Sequence, residues 1–235
     1  MVQLFYQPDL VENHCWLTED ESRHCIKVLR KREGEVIVVT DGNGFFYDCT
    51  ITKANTQRCE FDIQEKRAEA KKKFRIHLAI APTKNPDRLE WLIEKATELG
   101  VDKITLIDCD HSERSYIKTE RLMKVAISAM KQSQKATLPI INPLKKFSSI
   151  LDYQADQKFI AYVDHSNPKH LLHEAIKEKS YLICIGPEGD FSQEELASAL
   201  GRGFVKVSLG DSRLRTETAG MAACCLLNAI QVSGH

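Results

Sequence analysis

The chain has 235 residues, 43% hydrophobic and 28% charged, enough apolar material for one large domain or two small ones, which excludes a disordered protein. Lysine plus arginine total 33, as do aspartate plus glutamate, so a net charge of zero excludes a histone-like polycation while leaving room for a local basic patch. No apolar run reaches the roughly 18 residues of a membrane span, and the opening residues lack a signal-peptide layout, so a cytoplasmic protein with no membrane partner is expected.

The first seventy residues read as a small β-rich domain, a barrel by expectation, with one helix over residues 19–29. A β-branched run at 35–40 is followed by Asp41-Gly42-Asn43-Gly44, which tolerate positive φ, and by a second strand pattern from Phe45. That is a hairpin signal. A further short strand is expected over residues 59–63. Residues 66–75 are mostly basic, with Glu69 the single acid, and read as a linker between domains 1–72 and 73–235.

Beyond the linker, buried-type strands start at Phe74, Lys103, Phe159, Tyr181 and Val205, mostly with helical stretches between them. That alternation predicts a largely parallel α/β sheet covered on both faces. Asn85 as N-cap, Pro86, Asp87 and a closing Gly100 bracket a helix whose apolar face is Leu89, Leu92, Ile93, Ala96 and Leu99. Trp91 falls on its polar side and suggests an interdomain or subunit contact. A second helix is expected over 120–134, capped by Thr119.

Three stretches could carry chemistry. In residues 184–195 a strand ends at Gly186, Pro187-Glu188-Gly189 make a tight loop, and Ser192 with Glu195 forms a capping box. Free N–H groups at such a strand end suit a ligand cradle, yet there is neither a dinucleotide fingerprint nor a P-loop, and Glu188 would repel phosphate. A second strand ends at Gly210, with Arg213 and Arg215 in or near the following loop. The helix after them is apolar or small from Ala219 to Ile230 except Asn228, so burial on every side is expected, by threading through the domain or at a subunit interface. Residues 23–32 hold Arg23, Lys27, Arg30, Lys31 and Arg32 without an acid, a patch suited to phosphate contacts. The eight cysteines include no C-x-x-C pair and no Cys/His cluster, so reduced structural thiols and no metal are expected.

Residues 24–35, Lys84 with 95–101, 131–135, IGPEGDFSQEE and LRTETA follow one another in an order that resembles the bacterial small-subunit ribosomal RNA (uracil-N3)-methyltransferase family of the SPOUT class. The similarity covers nearly the whole chain. It implies a PUA-like, RNA-binding first domain and a SPOUT-type α/β sheet with a C-terminal trefoil knot, although threaded chains are otherwise very rare. It also implies a homodimer with a shared active site and S-adenosyl-L-methionine as methyl donor. The partner would be 16S ribosomal RNA or an assembled 30S subunit, methylated at uracil N-3. Carried onto this sequence, Ile185, Gly186, Pro187, Glu188 and Gly189 form one cofactor loop. Leu209, Gly210, Leu214, Arg215, Thr216 and Ala219 form another, and Val163 and Asp164 a third. Ser212-Arg213 stand where the family often has Arg-Ile, and Lys131 and Lys135 where acidic and arginine residues are common. RNA contacts are expected from Arg23, Lys27, Arg30 and Arg32. Arg215 is expected to stabilise negative charge on the uracil carbonyls, with Glu217, Asp164 or solvent taking the N-3 proton. Two rival readings are a non-catalytic RNA-binding protein keeping the fold and an α/β enzyme acting on a small nucleotide; the intact loops oppose the first and the extra basic domain the second.

Overall fold

The computed structural model describes residues 3–10, 15–113, 117–164 and 169–232. It divides into two compact units, Met1–Lys71 with Ile127–Leu138, and Lys72–Ala126 with Pro139–His235.

In the first unit, strands β1 (Leu4–Tyr6), β2 (Val36–Thr40), β3 (Phe45–Lys53) and β4 (Glu60–Ala68) pair in that order. The expected hairpin is β2–β3, antiparallel, while β1 adds in parallel to β2. One face buries Ile37, Val39, Tyr47, Cys49, Ile51 and Phe61 with Phe5 and Leu17, the alternation that a half-buried sheet requires. Thr18 caps α1 (Glu19–Arg23) by accepting the Glu21 N–H. The helix then widens into a π-turn over His24–Val28, closed by Leu29 N–H to the His24 carbonyl at 3.0 Å.

The linker reading needs correction, because β4 continues through Ala68. Lys66 lies 4.0 Å over the Phe45 ring, and Arg67 holds Asp48 at 2.6 and 2.9 Å. Those cross-strand contacts make strand of residues whose charge suggested a connector. The 127–138 segment also belongs to this unit. Its Thr137 hydroxyl donates to Glu69 at 2.6 Å, and Leu138 N–H donates to the Gly42 carbonyl at 2.9 Å.

The second unit holds a parallel sheet in the order β10-β8-β9-β5-β6-β7. Its strands are β5 (Arg75–Ile80), β6 (Lys103–Asp108), β7 (Ile140–Lys146), β8 (Gln157–Ala161), β9 (Ser180–Ile185) and β10 (Val205–Val207). Strand β7 was not expected. It is an edge strand, exposed or half-exposed along its length, and it contains Pro143, which an edge tolerates because one side needs no ladder donor. The two faces are covered by different helices. Helices α2 (Pro86–Glu98) and α6 (Thr216–Val232) pack together and α6 packs on β5 and β9, whereas α5 (Gln193–Gly201) joins a core with Ala79, Leu182, Cys184 and Phe204.

Helix α2 starts as its sequence predicts, with Asn85 accepting the Asp87 N–H at 2.9 Å. Helix α3 (Thr119–Gln132) takes Thr119 as its first helical residue rather than its cap. Between β8 and β9 a single helical turn, α4 (Leu171–Glu174), appears without a sequence signal. Within the single chain, helix α6 is covered on one side. Gly220, Ala223, Cys224, Leu227 and Ile230 are buried, but Met221, Ala222, Cys225 and Leu226 are partly open and Ala229 is exposed. The reason for the buried side is close approach: a Cβ on Gly220 would lie 2.8 Å from Ile80 Cδ1 and 3.1 Å from Leu92 Cδ1. The chain itself supplies such cover to one side only.

Candidate functional site

Strands β8, β9 and β10 run in parallel, and β8 lies between the other two. Their carboxyl ends therefore emerge side by side, the usual place for a ligand in an open α/β sheet. The three loops that leave them enclose a cavity of about 420 Å³. From the first loop come Val163 and Asp164, from the second Ile185, Gly186, Pro187, Glu188 and Gly189, and from the third Leu209, Gly210 and Leu214. Thr216 and Ala219 of α6 complete the wall. Arg215 is not part of it. That side chain is exposed, and its carbonyl takes the Ala219 N–H at 2.8 Å to start α6. Arg213, two residues earlier, does line the cavity.

Hydrogen bonds tie the loops together. Asp190, which the sequence reading passed over, receives the Val163 N–H on Oδ2 at 3.1 Å and the Phe191 N–H on Oδ1 at 2.9 Å. Burial pushes its carboxyl above the usual range, opposed by those two N–H groups and by the nearby Arg213 and His111 charges. The Thr216 hydroxyl donates to the Gly186 carbonyl at 3.1 Å, joining α6 to the second loop. In the third loop Gly210 adopts φ +128°, with nothing within 4 Å of a Cβ built there. That backbone conformation is one L side chains rarely adopt. Among the described residues the N–H groups of Leu209 and Leu214, two lining residues, make no backbone hydrogen bond. Asp164 pairs with Lys206 of β10.

Glu217, the other carboxylate considered as a base, does not line this cavity. It lies in a separate shallow notch with Asp87, Arg88, Trp91 and Thr218. Its side chain is buried, Oε1 is 3.7 Å from Arg88 Nε, and among the described residues Oε2 has no hydrogen-bond partner. Trp91 beside it is 40% exposed, as its position on the polar side of α2 foretold.

In the first unit, Arg23, Lys27, Arg30 and Arg32 are all exposed. Arg23 is held by Glu19 at 2.7 Å, whereas Lys27, Arg30 and Arg32 make no ion pair among the described residues. Lys31 pairs with Glu35 at 2.9 Å. Lys131, from the polar 131–135 stretch, pairs with Glu21. Among the described residues no group of three or more His, Cys, Asp or Glu assembles as a metal site, and no helix is long and apolar enough to cross a membrane.

Comparison with known proteins places these features. Residues 69–228 match the RNA methyltransferase domain family and residues 17–64 the RNA methyltransferase PUA domain family. Ribosomal RNA small subunit methyltransferase E of Bacillus subtilis is 27% identical over 88% of this chain and 86% of its own. A crystal structure described as a probable rRNA-methyltransferase from Porphyromonas gingivalis superposes with a TM-score of 0.93 at 43% identity, covering 98% of both chains. The ribosomal RNA small subunit methyltransferase E of Neisseria gonorrhoeae, solved with S-adenosyl methionine bound, superposes at 0.84 with 27% identity, covering 98% of each chain. The chain belongs to the RNA methyltransferase family, with a PUA domain of that family preceding its methyltransferase domain.

Proposed function

We propose that the chain transfers a methyl group from S-adenosylmethionine to N-3 of a uridine in small-subunit ribosomal RNA, as naked RNA or in the 30S subunit, in the cytoplasm. The observation that carries this reading is the cavity where three parallel strands end, walled by IGPEG and by the loop through Gly210. Its volume of about 420 Å³ falls in the range of small-molecule sites. The open backbone at Gly210 and the N–H groups of Leu209 and Leu214 fit the polar edge of a nucleoside, and Ile185 and Leu214 its apolar faces. In this reading the three loops belong to the C-terminal trefoil knot of the SPOUT class, and the first unit is a PUA-like barrel.

When bound, S-adenosylmethionine supplies an electrophilic methyl group on a sulfonium. The chain's own task is to align uracil N-3, exclude water and hold charge. Loss of the N-3 proton, to Asp164 at the cavity wall or to solvent, leaves negative charge on the flanking carbonyl oxygens, which a guanidinium stabilises in a water-poor cleft. Arg215 lies outside the wall of its own cavity, which fits service to the cavity of a second subunit; Arg213 serves the wall it lines. The homodimer this needs is supported by the uncovered side of α6, the exposed Trp91 and the unpartnered Glu217 Oε2. Lys27, Arg30 and Arg32 hold the RNA backbone, with Arg23 contributing once released from Glu19.

Small-subunit RNA and intact subunits lacking the modification, incubated with labelled S-adenosylmethionine and digested to nucleosides, should yield 3-methyluridine. Tight RNA binding with no cofactor affinity and no methyluridine would favour the non-catalytic reading instead.

A further inference from the structure

We propose that His111, outside the three cavity loops, is the positioning residue that sets the shape of the 186–190 loop. The inference rests on the reading of the cavity as the S-adenosylmethionine site.

His111 sits on a turn just after β6. The turn is closed twice, by Ser112 N–H to the Cys109 carbonyl and by Cys109 N–H to the Ser112 hydroxyl, both at 2.9 Å. It is also anchored to the start of α5. The Ser192 hydroxyl donates to Asp110 Oδ2 at 2.6 Å, and Asp110 N–H donates to Glu195 Oε1 at 3.1 Å. Glu195 is buried and also accepts the Ser192 N–H at 2.9 Å, so the anchor is itself fixed.

From this base the imidazole reaches the cavity loop. Nδ1 lies 3.1 Å from the Gly189 carbonyl oxygen and 2.9 Å from that of Asp190. Two acceptors on one nitrogen require Nδ1 to carry the proton and donate to both. The contact is close-packed as well, since a Cβ on Gly189 would meet the His111 Cβ at 3.1 Å.

The consequence runs through peptide planes. The plane joining Gly189 and Asp190 is held at its carbonyl by His111 and at its N–H by the Pro187 carbonyl, 2.9 Å away. The plane joining Asp190 and Phe191 is held at its carbonyl by His111 and at its N–H by Asp190 Oδ1. Asp190 sits at φ +62°, a conformation that costs a non-glycine residue free energy and persists only when its surroundings over-determine it. With both planes pinned, the Asp190 carboxylate is aimed so that its other oxygen takes the Val163 N–H. One imidazole thus orders the second cavity loop directly and the first through Asp190.

The charge environment agrees. The Asp190 carbonyl, with smaller contributions from the Gly189 carbonyl and from Glu195 and Asp110, raises the His111 proton affinity above the ordinary imidazole range. Among the described residues, the titratable groups acting on it are Asp110 on its own turn, Asp190 on the cavity loop and Glu195 on α5. Protonation strengthens both hydrogen bonds, while the neutral Nδ1–H form retains them in weaker form.

The test compares wild type, His111→Ala and His111→Asn. Calorimetry gives the S-adenosylmethionine dissociation constant at pH 6 and pH 8. Hydrogen exchange of the Val163 and Phe191 amides in free protein reports the clamp without ligand. Loss of the two bonds should weaken binding about 10-fold in His111→Ala, with turnover at saturating cofactor near wild type. Asparagine places an uncharged N–H donor in the same region and should bind within about 2-fold of wild type, without wild type's advantage at pH 6. Both amides should exchange faster in His111→Ala. Equal affinity and equal exchange in His111→Ala would overturn the proposal, and so would His111→Asn behaving like alanine, which would leave only packing on Gly189. If wild type binds no S-adenosylmethionine but exchange still accelerates in His111→Ala, the clamp stands and the cofactor reading falls.

Discussion

Arg215 offers the sharpest test of how the site is assembled. Its side chain is exposed and absent from the cavity wall, while Arg213 is in that wall. If Arg215 serves the partner's cavity, Arg215→Ala should lower methyl transfer by about 10²–10³, the scale of one lost oxyanion donor. Melting temperature should stay near wild type, because an exposed side chain with no ion pair among the described residues contributes little to stability. A second inactive variant, Gly210→Val, attacks the cavity itself. At φ +128° valine is strained by about 1–3 kcal/mol, enough to drive the loop out of its shape. If the chain dimerises as proposed, co-expression of the two variants under different tags yields mixed dimers that can be purified. In such a dimer one cavity is spoiled by the Gly210→Val substitution, but the other is intact and receives Arg215 from the Gly210→Val subunit. Activity should recover to about half that of wild type per dimer. Mixed dimers as inactive as their parents would refute a role in trans. The same pairing with Arg213→Ala provides the contrast: Arg213 lines its own cavity, so those mixed dimers should remain inactive.

Three further outcomes follow from burial and charge. Ala223 is fully buried within the protomer, so Ala223→Glu should abolish folding, seen as loss of soluble protein; Ala229→Glu on the exposed side of α6 should leave circular dichroism unchanged while weakening the dimer in sedimentation. Replacing Arg30 and Arg32 with alanine should weaken RNA binding and reduce the slope of log affinity against log salt by about 2, without changing cofactor affinity. Burial pushes His77 down to about 3, so as pH falls the unfolded chain takes up that proton first, near its ordinary value of about 6.5. The contribution of this group to stability is therefore full above pH 6.5 and is lost at up to about 1.4 kcal/mol per pH unit on the way down to the folded value. Urea midpoints at pH 7.5, 6.0 and 4.5 should show that loss, and His77→Leu should flatten it.

What could be read in advance was whatever depended on neighbours in sequence. Asn85-Pro86-Asp87 and Ser192 with Glu195 specify helix starts through side chains two or three residues away, and both form as expected. Strand β7 was hidden because an edge strand buries little and so lacks an apolar signature. The linker misled because charge was read without the cross-strand partners Asp48 and Phe45, which lie about twenty residues upstream. Helix α6 marks a different limit: an apolar composition announces burial but does not say whether the cover comes from the same chain.

The site adds a further layer. IGPEG and the loop after Gly210 are visible as strand ends, but their meeting depends on the strand order β10-β8-β9, in which β8, earlier in sequence, separates two later strands. No local signal encodes that order. Once it is established, residues with no motif of their own acquire function by position. Asp190 becomes the bracket between two loops because Val163 emerges beside it. Arg213 lies in the wall and Arg215, the residue just before α6, lies outside it. Motifs therefore locate the cavity, whereas the division of labour among its charged groups is set by sheet order, which is why the two arginines have to be separated by experiment.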